Sequence, residues 1–186
     1  MGMYHYLVAS LPTLTLGTAP PFSPADFRFK CQGVLSAPDL AELDLLLAGQ
    51  AAQGRTAFAR AWAGGDAQIR NTAAKMRGGK LGVEAKSFLK SHPGYAVWLD
   101  KEVADALAKP SPLAREMGLD LARWKLADEL VGADAYGLPA VLAFGVKIML
   151  TARWAAMTDE AGRERLEQLV STLEENAAQS GAASFK

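Results

Sequence analysis

Helix start signals recur along the chain and constrain its fold more than any other feature. Ser23 and Ser111 stand directly before a proline, Ser36 stands two residues before one, and Thr158 precedes two acidic residues. A serine or threonine followed by a proline or an acidic residue is typical of a helix N-terminus. Apolar residues at helical spacing follow these signals, and no alternation of strands and helices is present. The pattern predicts an all-α fold.

We predict a single compact domain of about seven helices over residues 3–178, with a flexible C-terminal tail over residues 179–186. Residues 3–9 are rich in aromatic and branched side chains, which predicts an extended N-terminal segment. Residues 55–77 look helical on both sides of Gly64-Gly65. The glycine pair either breaks that helix or only weakens it, and the sequence leaves both alternatives open.

The last two predicted helices differ in their apolar pattern. Residues 138–157 are apolar on nearly every face, which predicts a central core helix. Lys147 and Arg153 lie too near its middle for a bilayer span, so the segment indicates a soluble protein. The final helix carries one apolar stripe, which we expect to be buried; it consists of Leu166, Leu169, Val170 and Leu173.

The charge balance and the cysteine content narrow the classes of partner and compartment. Among 186 residues, Lys and Arg total 20 and Asp and Glu total 20, so the formal net charge is zero. Nucleic-acid binders usually carry a basic excess, so no nucleic-acid partner is expected. The single cysteine, Cys31, excludes a disulfide within one chain and favours a reducing cytoplasm.

Candidate residues for catalysis or metal binding are few and isolated. His5 and His92 lie far apart, without cysteine or carboxylate partners at ligand spacing, so no metal site is predicted. Cys31 lies in an apolar helix, which is typical of a structural thiol. The stretch RGGKLG at residues 77–82 lacks the spacing and the hydroxyl residue of a phosphate-binding loop. We therefore expect no cofactor and no enzymatic activity.

One polar pattern is more informative than these. Glu116, Asp120 and Arg123 fall on one face of a predicted helix, and Arg70 and Arg77 share a face of another, with Asn71 adjacent. The pattern predicts a structural polar network in which Arg77 pairs with Glu116 or Asp120 and fixes the packing of the two helices. The alternative is a catalytic carboxylate pair or a ligand site, and a cavity lined by these residues would favour it.

Four segments carry a family resemblance. YHYLVASLP, PPFSPADFRFKC, SPLAREMGLDLARWKLADEL and VLAFGVKIMLTARW resemble motifs of a small bacterial family of unassigned function. The resemblance extends roughly from Tyr4 to Leu173. Genes of that family typically lie among those for the subunits of bacterial V/A-type ATPases. In those clusters a recognisable gene for the socket subunit, which is designated C and in eukaryotes d, is often missing.

Two further motifs resemble pieces of this V-type ATPase socket subunit. The helical units of that subunit carry an acidic residue, then Asn, then L-R-x-K, and the order of Asp66, Asn71, Arg77 and Lys80 resembles this motif. The units also carry an E-x-x-x-D helix with aromatic residues behind it, which the Glu116–Trp124 segment resembles. The resemblance implies a reduced, non-catalytic coupler between the central stalk and the membrane rotor ring. The socket subunit is much longer and has three such units, whereas this chain has room for about one.

The resemblance therefore implies central-stalk subunits and the rotor ring as partners. It also implies a cytoplasmic location, peripheral to the inner membrane through a protein complex and without direct insertion. The alternatives are an assembly factor for the same ATPase, or an unrelated cytosolic enzyme or ligand-binding protein.

Overall fold

A computed structural model describes residues 4–183, and within them the side chains up to Glu174 and that of Asn176. This part of the chain forms eight α-helices and two short 3-10 helices, at 51–53 and 86–88, and contains no strand. The all-α prediction is confirmed. The helices are α1 (His5–Ser10), α2 (Pro24–Gln32), α3 (Ala37–Leu47), α4 (Ala57–Leu81), α5 (Val97–Leu107), α6 (Pro112–Val131), α7 (Leu138–Ala155) and α8 (Asp159–Ala183).

The predicted N-terminal caps are present. The hydroxyl oxygens of Ser23 and Ser111 each accept a hydrogen bond of 3.1 Å from the backbone N–H three residues on. Ser36 does so at 3.4 Å and Thr158 at 3.2 Å. These bonds satisfy N–H groups that have no partner within their own helix, so they fix where α2, α3, α6 and α8 begin.

Helix α4 runs without a break through Gly64 and Gly65, which settles the alternative left open by the sequence. A Cβ at Gly64 would lie 2.6 Å from the carbonyl oxygen of Pro93, and one at Gly65 would lie 2.5 Å from Cδ2 of Leu126. The two glycines therefore allow close approach of neighbours on two sides. Packing of this kind offsets the helix-propensity cost of about 1 kcal/mol for each glycine.

Two apolar clusters form the core. The first joins α2, α3 and α7 to the N-terminal segment, and the second joins α4, α5 and α6. Trp62 and Leu130 contact both clusters, so the two pack as one unit. The first cluster includes Phe27, Leu43, Val141, Leu142 and Ile148, and the second includes Ile69, Leu99, Val103, Leu107 and Leu126.

Helix α7 is the central element, as predicted. It packs against α2, α3, α4 and α6. By length and by its mean hydropathy of 1.3, it is the one helix in the described residues that could span a membrane. Half of that stretch is buried inside the protein, which is the behaviour of a core helix.

The structure corrects the prediction of an extended N-terminal segment. Met3 lies outside the described residues, and residues 5–10 form α1 instead of a strand. Leu7 is buried in the first apolar cluster, and the backbone N–H of Tyr4 donates 2.9 Å to the carbonyl of Tyr136. Burial of one helical face outweighs the strand preference of the aromatic and branched side chains, because the described residues offer no second strand to pair with them.

The end of the chain also differs from the prediction. Helix α8 continues to Ala183, so residues 179–183 of the expected tail are helical, and residues 184–186 lie outside the described part. The prediction that the α8 stripe is buried is wrong for the isolated chain. Every described side chain of α8 is exposed, with fractional exposures of 61% for Leu166, 48% for Leu169, 46% for Val170 and 67% for Leu173.

Candidate functional site

The charged residues singled out in the sequence meet where α4, α6 and α7 pack together. We call this group the charged cluster. It consists of Asp66, Arg70 and Arg77 of α4, Glu116, Asp120 and Arg123 of α6, and Arg153 and Trp154 of α7.

Asp120 is the centre of the charged cluster and is fully buried. Its carboxylate accepts hydrogen bonds of 3.0 Å from Nη1 of Arg123 and 2.8 Å from Nε1 of Trp154. Nη2 of Arg153 lies 3.2 Å from Oδ2 of the same carboxylate. Trp154 and Arg153 join this buried acid of α6 to α7, and Arg123 pairs with it within α6. The two cations and the indole N–H compensate its desolvation.

Arg123 extends the charged cluster to α4. Its Nε donates 2.8 Å to Oδ1 of Asp66, and Oδ2 of Asp66 accepts a bond from Arg70 one turn along α4. Burial alone would lower the pKa of Arg123, but the adjacent carboxylates of Asp66 and Asp120 raise it above its ordinary value. The guanidinium is therefore a permanent cation that bridges two helices.

The outer part of the charged cluster is more exposed. Nη2 of Arg77 lies 3.1 Å from Oε1 of Glu116, and Nη2 of Arg153 lies 3.6 Å from the other carboxylate oxygen. All three side chains are about half exposed, so solvent screens these pairs and they stabilise the fold less than the buried ones.

Of the six network residues predicted, five lie in the charged cluster and Asn71 does not. The amide of Asn71 instead clamps the backbone of Lys90, donating 2.7 Å to its carbonyl and accepting 2.9 Å from its N–H. The predicted network omitted Asp66, Arg153 and Trp154. Asp66 lies one helical turn before Arg70, and this spacing indicates an ion pair that includes Asp66. The sequence of α7 gives no comparable signal for Arg153 or Trp154.

Two cavities of several hundred cubic ångströms adjoin the charged cluster, in addition to one of about 170 Å³ beside Arg77 and Glu116. One of about 670 Å³ lies between α4, α7 and the segment 88–93, and one of about 480 Å³ lies between α4, α6 and the segment 81–88. Arg70, Phe88 and Arg123 line both. The larger also contains Arg60 and Lys90, so cations outnumber the one carboxylate in its wall, that of Asp66. An anionic group would suit this lining.

The remaining candidate residues offer little chemistry. In the part of the chain that the structure describes, no group of three His, Cys, Asp or Glu side chains could hold a metal ion. Burial raises the pKa of the Cys31 thiol to about 11, so it is not a thiolate at neutral pH. His5 stacks on Tyr136, with ring centroids 5.0 Å apart. His92 lines the larger cavity, and its buried Nδ1 has no hydrogen-bond partner among the described residues.

A protein-family model described as "Protein of unknown function (DUF2764)" matches residues 100–177. The match covers α6, α7 and parts of α5 and α8, so it includes Asp120, Arg123, Arg153 and Trp154 of the charged cluster. Its description names neither an activity nor a partner. No curated protein and no solved structure matches the chain.

Proposed function

We propose that the chain is a non-catalytic subunit or accessory protein of a bacterial V/A-type ATPase. In this proposal it is a reduced form of the socket subunit and couples the central stalk to the membrane rotor ring. It would act in the cytoplasm and be held at the inner membrane by protein contacts. The proposal rests on the motif resemblance over Tyr4 to Leu173 and on the nature of the charged cluster.

The observation that carries the proposal is the burial of Asp120 among partners of its own chain. This carboxylate has no exposed surface and is engaged by Arg123, Trp154 and Arg153, as expected of a structural acid and not of one that exchanges protons with a substrate. The same contacts brace α6 against α7, and Arg123 braces α6 against α4. A coupler that transmits torque requires such stiffness between helices and needs no reactive group.

The proposal is tested by purifying the ATPase from native membranes through a tagged central-stalk subunit. Quantitative mass spectrometry should find this chain in a fixed ratio to the stalk subunits. Deletion of its gene should leave ATP hydrolysis by the catalytic head intact while ion pumping is lost. Absence of the chain from the purified complex, together with normal pumping in the deletion strain, would rule the proposal out.

Complementation of the deletion strain gives a control for the role of the charged cluster. Asp120→Asn keeps the shape of the side chain but removes its charge, so pumping should fall while hydrolysis persists. Arg163→Gln changes an exposed charge on α8 and should restore pumping fully. The amount of each variant in the complex must be measured, so that a stiffness effect is separated from loss of the protein.

An assembly factor for the same ATPase is distinguished by timing. A coupler remains in the active complex, whereas an assembly factor occurs only in intermediates, and its deletion lowers the amount of complete ATPase. Pulse-labelled complexes separated on native gels provide this measurement.

The two cavities favour a second candidate, a cytosolic ligand-binding protein or enzyme. Their volumes, about 670 and 480 Å³, lie in the range of small-molecule sites, and Arg70 lies between them. A ligand with an anionic group should raise the melting temperature of the purified chain. Inorganic phosphate, ADP and a short fatty acid are suitable probes, and Arg70→Gln should abolish any shift. No shift with a wide panel of anions would count against this candidate.

A further inference from the structure

The smaller cavity is an open apolar groove with a cationic edge. We call it the arginine groove. Its apolar wall includes Ile69, Ala73, Leu119, Leu81, Val83 and Phe88, and the last three are 76%, 56% and 69% exposed. Arg70 and Arg77 lie along its edge. They pair with Asp66 and Glu116 of the same chain, but their side chains remain 62% and 55% exposed, so further N–H groups face solvent. Exposed apolar side chains concentrated in one groove mark an interaction surface.

Helix α8 presents the complementary surface. Its exposed apolar stripe, Leu166, Leu169, Val170 and Leu173, has the spacing of one helix face. Glu160, Glu167 and Glu174 follow one another at seven-residue intervals along one side of that stripe. Between Asp159 and Glu174 the helix carries five carboxylates and two arginines, so it is acidic overall.

The charges of the two surfaces also match in spacing. Arg70 and Arg77 are seven residues apart on α4, and so are successive glutamates beside the α8 stripe. Seven residues correspond to a rise of about 10.5 Å in either helix. With the leucines against the apolar wall, two successive glutamates can therefore reach the two arginines. This is the arrangement of an amphipathic helix bound in a groove.

The junction between α7 and α8 is short and hydrogen-bonded. Only residues 156–158 separate the two helices. They are held by hydrogen bonds from the N–H of Ala156 to Ala152 and of Met157 to Trp154, at 3.1 and 3.2 Å, and Gly162 donates 3.0 Å back to Thr158. In this arrangement every described side chain of α8 is exposed, and Leu81, Val83 and Phe88 of the groove are exposed as well. The groove of the chain is therefore not covered by its own α8.

We propose that α8 of one copy docks in the arginine groove of a second copy, and reciprocally. The exchange gives a closed two-fold dimer in which each chain supplies one helix and one groove. It covers the α8 stripe and the apolar wall of the arginine groove at once. The proposal does not depend on membership of an ATPase, because it concerns the isolated chain.

The first test is the mass of the purified full-length chain, measured by light scattering and by sedimentation over a range of concentrations. The wild-type chain should be a dimer. Leu169→Asp should weaken the dimer about 30-fold or more, since it places a charge at the centre of the contact. Leu121→Asp is the matched control, because Leu121 is 46% exposed on α6 and Leu169 is 48% exposed. Circular dichroism should show that both variants keep their helix content.

The second test locates the contact. Val83→Cys and Leu173→Cys are made in separate chains, which are then mixed and oxidised. Cys31 is fully buried and does not compete. A disulfide-linked pair of different chains supports the proposal. A wild-type chain that stays monomeric at high micromolar concentration overturns it. A dimer that forms no such disulfide, or that tolerates Leu169→Asp, also overturns it.

The third test concerns the charges. Glu167→Gln combined with Glu174→Gln should weaken the dimer and reduce the dependence of its dissociation constant on salt. Thr172→Gln changes the opposite flank of the stripe and is the control. Equal salt dependence in both variants contradicts the pairing of α8 with the arginine edge.

Discussion

The charged cluster and helix α8 use their side chains in opposite ways. In the charged cluster, buried charges are neutralised by partners within the same chain, and Asp120 has three such partners. In α8, four apolar side chains on one face have no partner in the described part of the chain. The comparison teaches that one region holds this molecule together, whereas the other is available for contact with another molecule. Substitutions at the buried residues of the charged cluster and in the α8 stripe should therefore have separable effects on stability and on association.

The largest effect on stability is expected at Asp120. Asp120→Ala removes the buried acid and leaves Arg123 and Trp154 without a shared acceptor. Loss of one partner from a buried charged group costs about 3–5 kcal/mol, so the free energy of unfolding should fall by that amount. Urea denaturation measures it. Asp105→Ala, at an exposed position of α5, should change stability by less than about 0.5 kcal/mol.

The next effect is expected at Glu42, which couples α3 to the start of α4. Its buried carboxylate accepts bonds of 2.7 and 3.1 Å from the N–H groups of Arg55 and Thr56, and one of 2.9 Å from the Thr56 hydroxyl. Glu42→Gln replaces a charged acceptor, so the free energy of unfolding should fall by about 1–3 kcal/mol. Thermal denaturation at pH 7 provides the measurement, and Glu84→Gln, at an exposed position, is the control.

The same carboxylate makes stability depend on pH. Burial acts to raise the pKa of Glu42, but the N–H donors of Arg55 and Thr56 and the Thr56 hydroxyl outweigh it, so the pKa lies below its ordinary value of 4.5. A lowered pKa means that the stabilisation is complete above the unfolded value and is lost as the pH falls through the folded value. The melting temperature of the wild-type chain should therefore decrease as the pH is lowered beneath about 4.5. Glu42→Gln should reduce the slope of melting temperature against pH in that range. An unchanged slope would contradict this role.

A smaller loss is expected for Trp154→Phe. The ring is largely kept, but Asp120 loses the 2.8 Å bond from the indole N–H. The arginines still neutralise the carboxylate, so the cost should be about 1–2 kcal/mol. Combination with Arg153→Gln should cost more than the sum of the single changes, because both groups serve one acceptor. Strict additivity in urea denaturation would show that the two contacts are independent.

The smallest effect on folding is expected in α8. Leu166→Ser changes a side chain that is 61% exposed, so the free energy of unfolding, measured at low protein concentration, should change by less than about 0.5 kcal/mol. The same variant should weaken self-association at high concentration. A large loss of stability at low concentration would place the α8 stripe in the core of its own chain and remove the contrast between the two regions.

Local signals in the sequence predict much of this fold. The caps at Ser23, Ser36, Ser111 and Thr158 depend on neighbours within a few residues, so their positions can be predicted without tertiary contacts. The alignment of Arg77 with Glu116 required only the assumption that α4 and α6 pack together.

The remaining features depend on how distant elements cross. Arg123 reaches Asp66 because α4 packs against α6, and Trp154 reaches Asp120 because α7 packs against α6. Sequence spacing within one helix defines neither contact. Residues 5–10 follow their packing instead of their strand preference. Periodicity identifies the apolar stripe of α8 as one helix face, but it does not specify whether that face is buried within its own chain.

The first glycine of the α4 pair has a mechanical consequence for the larger cavity. Gly64 and Pro93 both line this cavity, and Gly64 lets the carbonyl oxygen of Pro93 approach the helix closely. A methyl group added at Gly64 would lie 2.6 Å from that backbone oxygen, so the segment that contains Pro93 would have to move outward. At Gly65 the nearest atom is the end of the flexible Leu126 side chain, which can give way. One hydrogen atom at Gly64 thus sets the separation of two cavity walls, and an alanine there would reshape the cavity without altering any residue that carries charge.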